Sequence, residues 1–398
     1  MESHYQHLFE MLSKVDGYIY PNEISLQWSI LIVLYPYLTG LVAGAFILAS
    51  LERVFKMTVL KPTYQLALIT ALAFLICAPL PLVTHLGHPE RAYEIMITPH
   101  GGSAMAIFGF VYLWYLMVVL LLEIWFDFRR DFVIWSKEKT GVIRVVYSIL
   151  TLGVKDISPN AVKWDEKLGY IITVVGIPSA FLLHGYVGFI FGSIKANPWW
   201  STVLMPVIFL FSAMVSGIAL VMLLYMIISY MRKVKIDMAC LDTVGKFLFY
   251  ALILDFSLES LDQVHRIYEA EESFDILSLL VSGKLYITLF IMQIFIGMII
   301  PMLALGLIQI TKFKDQIRKT IYFSSGFLVL IGIFFMRWNV VIGGQLFSKS
   351  FLGFTSFKLG LIGSEGFLMA IGWMILPFLI LSFLLWLMPP WKKHELTE

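Results

Sequence analysis

An all-α polytopic membrane protein of about nine transmembrane helices is the fold this sequence predicts, and three observations predict it. Hydrophobic residues fill 59% of 398 positions, charged residues only 14%, and mean hydropathy is +0.85, values foreign to a soluble chain of this length. Apolar runs long enough to cross a hydrocarbon core of ~30 Å recur along the chain. Lys and Arg segregate to alternate connections between those runs. The lipid bilayer is therefore the first partner, and a net charge of +2 argues for no nucleic acid.

Taken in order, residues 1–24 form an outer N-terminal segment. Met1 to Glu23 is polar and has neither a basic start nor a short apolar core, so no cleaved signal peptide is expected and the first span would direct insertion. Spans are predicted at 25–53, 63–86, 103–128, 165–194, 199–231, 240–264, 284–310, 318–338 and 367–389. The apolar run Val142 to Val154 covers about half a membrane and reads as an interfacial or re-entrant helix inside a basic loop. An outer loop, 339–366, separates the eighth span from the last span and tail, 367–398.

Of the 29 Lys and Arg, twenty fall on one side of this topology, eight of them between Arg129 and Lys167. Eight fall on the other side, and Lys246 lies within the sixth span. Basic loops stay in the cytoplasm, so the chain is expected in the cytoplasmic (inner) membrane, N-terminus outside and C-terminus inside.

The spans carry an internal repeat. Thr39-Gly-Leu-Val-Ala-Gly44 in the first matches Ser212-Ala-Met-Val-Ser-Gly217 in the fifth, and Arg91-Ala-Tyr-Glu94 after the second matches Arg266-Ile-Tyr-Glu269 after the sixth, at nearly the same offset. Two parallel four-helix bundles are expected, 25–195 and 196–338, joined by the outer turn Ala196-Asn-Pro-Trp-Trp200 and followed by a C-terminal helix. Gly40 and Gly44 read as points of close helix approach, and Trp199 and Trp200 as residues of the outer membrane interface.

Ionisable residues inside a bilayer are costly, and nearly all of those here fall in the outer half. Asp255, Glu259, Asp262 and His265 are spaced by four, three and three, which places them on one helical face across ~120°, climbing ~15 Å. Three carboxylates so close cannot all be charged cheaply in a low-dielectric medium, the circumstance a proton relay needs. The plainer alternative is a buried network whose charge is balanced by Arg91, Arg266 and Arg337 at the same level. His85, His88, Glu90, His184, Tyr186, Trp338 and Asn339 share that depth. A lone His on an apolar helix is ordinarily a packing residue.

Cofactor classes divide on the same inventory. Cys77 and Cys240 are too few for an iron–sulfur cluster, and no C-x-x-C-H exists for a covalent c-type haem. A b-type haem needs facing axial ligands, and only His184 is deep enough; His85, His88 and Glu90 have weak metal spacing, so no metal is assigned. A quinone fits better: it needs an apolar, aromatic-lined slot, one or two hydrogen-bonding groups and a proton outlet.

These residues resemble the NrfD/PsrC family of quinone-interacting membrane subunits in polysulfide-reductase-like complexes. The resemblance covers most of the chain and rests on His85-Leu-Gly-His-Pro-Glu-Arg91, His184-Gly-Tyr-Val-Gly-Phe189, Ala196-Asn-Pro-Trp199, the Ser212 to Gly217 segment and Arg337-Trp-Asn-Val-Val-Ile-Gly-Gly-Gln345. It implies two four-helix bundles without a cofactor of their own, binding menaquinone or ubiquinone as substrate near the outer face. An iron–sulfur (ferredoxin-like) subunit would sit at that face, with further redox subunits of a respiratory electron-transport complex beyond it. It further implies that His184 and Tyr186, with His85 or His88, contact the quinone, while Asp255, Glu259, Asp262 and His265 handle its protons. A ninth span and a long loop after the eighth align the chain with the longer relatives. The rival classes are an ion-coupled secondary transporter, since a repeat with intramembrane carboxylates also suits a carrier, and a membrane anchor without turnover.

Overall fold

The computed structural model describes residues 15–98, 100–268 and 273–391, with side chains described through residue 265 in the second stretch. In chain order the helices are α1 (Ile30–Arg53), α2 (Thr58–His85), α3 (Ala104–Glu138), the short α4 (Gly141–Leu150), α5 (Pro159–Gly192), α6 (Met205–Met231), α7 (Met238–Tyr268), α8 (Tyr286–Ile310), α9 (Asp315–Gln345) and α10 (Phe367–Leu387). Eight of them are long and apolar enough to cross a membrane. The 31-residue α7 is as long, but Asp242, Lys246, Asp255, Glu259 and Asp262 make it too polar to pass on hydropathy; with it the described helices of spanning length number nine.

Local chemistry sets where these helices begin. Ser29 caps α1 by accepting from the Leu31 N–H at 3.3 Å, and Ser158 caps α5 by accepting from Ala161 N–H at 3.3 Å, with Pro159 at the first helical position, where its missing N–H is harmless. Two predicted boundaries moved. The basic stretch from Arg129 onward is not loop: α3 continues to Glu138 and α5 starts at Pro159. Arg129 is buried between them, held by Asp165 at 2.5–3.0 Å and by the Asp156 carbonyl at 2.5 Å, so a charge expected in a solvated loop staples two helices instead.

The centre of the molecule is α1, buried from Ile30 to Ser50. It packs on α2, α5, α6, α9 and α10. Its closest neighbour is α6, and the two segments that match in sequence cross each other: a Cβ on Gly44 would lie 2.1 Å from the Ala213 carbonyl oxygen, and one on Gly217 would lie 2.4 Å from the Gly44 backbone. Without a hydrophobic drive between helices in lipid, such backbone-to-backbone packing is what holds them together. The cross-contacts are reciprocal, since α5 packs on α6 and α9 packs on α1. Helices α3 and α8 both widen into π-type turns, at Tyr115–Leu120 and Tyr286–Ile299. Both are poorly buried within the chain, as is α10, which leaves their apolar faces for lipid.

On the face where α2, α7 and α9 finish, strands β1 (Asp16–Tyr18) and β2 (Leu352–Phe354) pair antiparallel, with Gly17 opposite Gly353. Glu23 accepts from the Ser348 hydroxyl at 2.5 Å and Gln345 brackets the Trp28 backbone, so the N-terminal segment is sewn to the loop after α9. The turn after α5 is buried as well. Trp199 Nε1 donates to the Asn339 carbonyl (2.9 Å), Trp200 Nε1 to the Val340 carbonyl (2.6 Å) and Asn197 Nδ2 to the Gly344 carbonyl (2.6 Å). The tryptophans expected at the membrane interface therefore cap α9, supplying donors for carbonyls that the helix end leaves unpaired.

Gly217→Leu forces side-chain atoms into the α1 backbone and is expected to destabilise the protein by about 3 kcal/mol, the upper range for overpacking. Thermal unfolding of the detergent-purified chain checks this, with Gly372→Leu, where a Cβ meets nothing within 4 Å, as the neutral control.

Candidate functional site

Arg337 on α9 has no solvent exposure. Its Nη2 lies 2.9 Å from His184 Nε2 and donates to the Ser212 hydroxyl (2.7 Å) and the Phe209 carbonyl (3.3 Å), while its Nη1 meets the Met336 sulfur at 3.0 Å. The guanidinium lies over the Phe209 ring at 4.0 Å, and the His184 ring stacks on the same phenylalanine. Gly40 makes room for the imidazole: a Cβ there would approach His184 Cε1 to 3.1 Å. One cluster thus ties α1, α5, α6 and α9 together.

From that cluster the carboxylates of α7 extend toward the β1–β2 face. Asp255 and Glu259 lie within electrostatic reach of Arg337 without contacting it as ion pairs. Asp255 is fully buried and neither of its oxygens has a hydrogen-bond partner among the described residues. Glu259 Oε2 accepts from Gln293 Nε2 (2.8 Å), whose Oε1 in turn accepts from Asn339 Nδ2 (2.7 Å). Asp262 accepts from the Thr202 hydroxyl at 2.7 Å, and His265 is exposed at the end of the series.

Beside this chain lies a cavity of about 330 Å³ between α6, α7, α8 and α9. Its walls are mostly apolar, with Trp199, Phe256, Leu289 and Phe290 among them, and its polar lining includes Glu259, Gln293 and Asn339. Two buried polar atoms on residues lining it, Glu259 Oε1 and Asn339 Oδ1, have no partner among the described residues. An apolar slot with a few convergent polar groups is what a flat, weakly polar ligand requires.

Residues 21–349 match the family described as "Polysulphide reductase, NrfD". The chain belongs to the NrfD family. It is 32% identical over 329 residues to a selenate reductase subunit of Mesobacillus selenatarsenatis, covering 79% of this chain and 73% of that protein. It is 30% identical over 209 residues to the protein NrfD of Escherichia coli (50% and 59% covered), and 26% identical over 230 residues to a putative dimethyl sulfoxide reductase membrane subunit of Halobacterium salinarum (56% and 48% covered). NrfD-family membrane subunits of respiratory reductases are thus its relatives.

Within this NrfD-family chain the residues named from sequence do not all converge. His184 joins Arg337, but Tyr186 points to the other side of α5, stacking on Phe108 of α3 at 6.4 Å. His85 Nδ1 meets Glu365 at 2.8 Å, and His88 is exposed beside Glu90 at 3.0 Å. Arg91 is exposed and paired with Glu94 at 2.8 Å, away from the α7 carboxylates, whereas Arg337 is placed beside them; the Arg266 side chain and Glu269 lie outside the described residues. No group of three or more His, Cys, Asp or Glu is arranged to hold a metal ion among the described residues. Gln293 and Thr202 were missed. Gln293 was findable, because an amide in the middle of an apolar span needs a partner.

Removing Arg337 strips His184 Nε2 and the Ser212 hydroxyl of their shared partner, so Arg337→Leu is expected to lower stability by about 3 kcal/mol. Arg91→Ala leaves stability unchanged, as suits an exposed pair. Melting curves of the two purified variants test both.

Proposed function

We propose that this chain is the quinone-reactive membrane subunit of a respiratory reductase complex, with the quinone ring in the cavity between α6, α7, α8 and α9. The observation that carries the reading is that two residues lining one apolar cavity hold a buried carboxylate oxygen and a buried amide oxygen with no partner among the described residues. Menaquinone or ubiquinone is the substrate. Glu259 Oε1 can accept a quinol hydroxyl proton, or, carrying a proton, donate it to a quinone carbonyl; Asn339 Oδ1 can hold a quinol hydroxyl. Gln293, braced by Asn339, holds Glu259 in place. Protons then pass along Asp262 and His265 to the β1–β2 face, with Asp255 one turn deeper. Electrons are exchanged with an iron–sulfur (ferredoxin-like) subunit at that face, further redox subunits lying beyond it.

In this reading His184 acts by holding Arg337 rather than by touching quinone, and Tyr186, His85 and His88 lie apart from the ring. The basic ends of α3, α5, α6 and α9 support a cytoplasmic placement for the opposite face, hence an N-terminus outside and a C-terminus inside the inner membrane. The two-bundle organisation belongs to the same proposal. It is supported by the meeting of the sequence-matched glycines Gly44 and Gly217 and by the reciprocal packing of α5 on α6 and α9 on α1.

In purified complex, Glu259→Gln is expected to lower quinone turnover about 100-fold, the lower range for losing a general acid or base. Leu289→Trp, which fills the cavity, should raise KM about tenfold, equivalent to ~1.4 kcal/mol of binding. Unchanged turnover in both Glu259→Gln and His184→Ala would remove the site from contention and leave a membrane anchor.

A further inference from the structure

A second cavity lies at the opposite, basic end of the bundle, between the end of α6 and the start of α9. It measures about 780 Å³ and stands apart from the carboxylate site. Three lysines converge on it, Lys233 and Lys235 from the turn after α6 and Lys319 from the first turns of α9, and among the described residues no carboxylate lines it. Asp315, paired with Arg318 at 2.7 Å, lies within electrostatic reach of Lys319 and Lys235 but does not line the cavity.

Depth orders the lining. The lysines sit at the helix ends, whereas Met226 and Ile227 on α6 and Phe323 on α9 lie one to two turns further in, ~6–9 Å at 1.5 Å per residue. Ile227 and Phe323 are 40% and 43% exposed, so the apolar part opens outward from the bundle rather than into the core. Thr320 and Ser324 hydroxyls donate to backbone carbonyls of their own helix, which leaves their oxygens as acceptors toward the cavity. The turn itself is shaped for this. Lys233 has φ 54°, a left-handed conformation that glycine ordinarily supplies at a helix end, and Val234 N–H bonds back to the Ser229 carbonyl at 3.0 Å. A lysine occupies a position where backbone geometry favours glycine.

We propose that this groove binds one anionic phospholipid, its phosphate between Lys233, Lys235 and Lys319 and its acyl chains along Ile227 and Phe323. Charge complementarity selects the phosphate, and the apolar wall running inward from it selects a lipid over a soluble phosphate. A zwitterionic lipid adds a cation that the lysines repel. The Thr320 and Ser324 oxygens suit a head group that carries hydroxyl donors of its own, as a glycerol head group does.

The test is native mass spectrometry of the detergent-purified full chain titrated with phosphatidylglycerol, phosphatidylcholine or inorganic phosphate. One phosphatidylglycerol should be retained at least tenfold more tightly than phosphatidylcholine, and millimolar phosphate should not displace it. The triple variant Lys233→Gln, Lys235→Gln, Lys319→Gln should lose that retention at least tenfold. The matching triple Lys→Arg variant, which keeps the charge, should retain it, and so should Lys155→Gln, Lys163→Gln, Lys167→Gln in the other basic region. Equal retention of the two lipids, displacement by phosphate, or undiminished retention in the Lys→Gln triple would each overturn the proposal.

Discussion

A guanidinium with no access to solvent, in a protein surrounded by hydrocarbon, is the constraint around which the rest of this structure is arranged. Arg337 cannot lose its charge cheaply, and an unsatisfied arginine at that depth costs several kcal/mol, so its surroundings must supply acceptors and compensating field. They come from separate parts of the chain: an imidazole nitrogen from α5, a hydroxyl and a carbonyl from α6, a phenylalanine face beneath, and the carboxylates of α7 at longer range. Gly40, one turn from the close crossing of α1 and α6 at Gly44, leaves room for the His184 ring. Packing and electrostatics are one problem at this point, and the small residues solve both.

The consequence is a buried polar site assembled from α5, α6, α7, α8 and α9. Both α3 and α8 carry widened turns, and buried carboxylates lie on α7 (Asp255, Asp262) and on α3 (Glu123, Asp131). In α8 the widened stretch contains Gln293, which reaches Glu259, and widened turns of this kind often accompany function. The cavity that results lies between α6, α7, α8 and α9, lined by Glu259, Asp262, Trp199 and Asn339 from segments distinct in sequence and by Gln293. A second polar cluster, with Glu123 accepting from Thr173 at 2.7 Å and Asp127 bonded to Arg53 and Gln65, lies toward the basic end and has no described bond to the α7 series.

Membership of the NrfD family accords with this architecture, since relatives named as subunits of selenate and dimethyl sulfoxide reductases match much of the chain. The family assignment says what kind of protein this is; the cavity and its unpartnered oxygens are what suggest how it would act.

The amino-acid order alone determined the class, the number of spans to within the ambiguity of one polar helix, the matched segments Thr39–Gly44 and Ser212–Gly217, and the α7 carboxylate series. Each of these is a periodic or compositional property that hydrocarbon enforces locally. Tertiary structure alone decided which polar residues share a site. Arg129 became a helix staple, Trp199 and Trp200 became caps, and Tyr186 turned to Phe108, because partners far apart in sequence set each outcome; Arg91 instead pairs at the surface with Glu94, three residues on. Depth in a bilayer can be counted from residue numbers, but azimuth around a bundle cannot. That is why the level of the site was legible while its position between α6, α7, α8 and α9 was not.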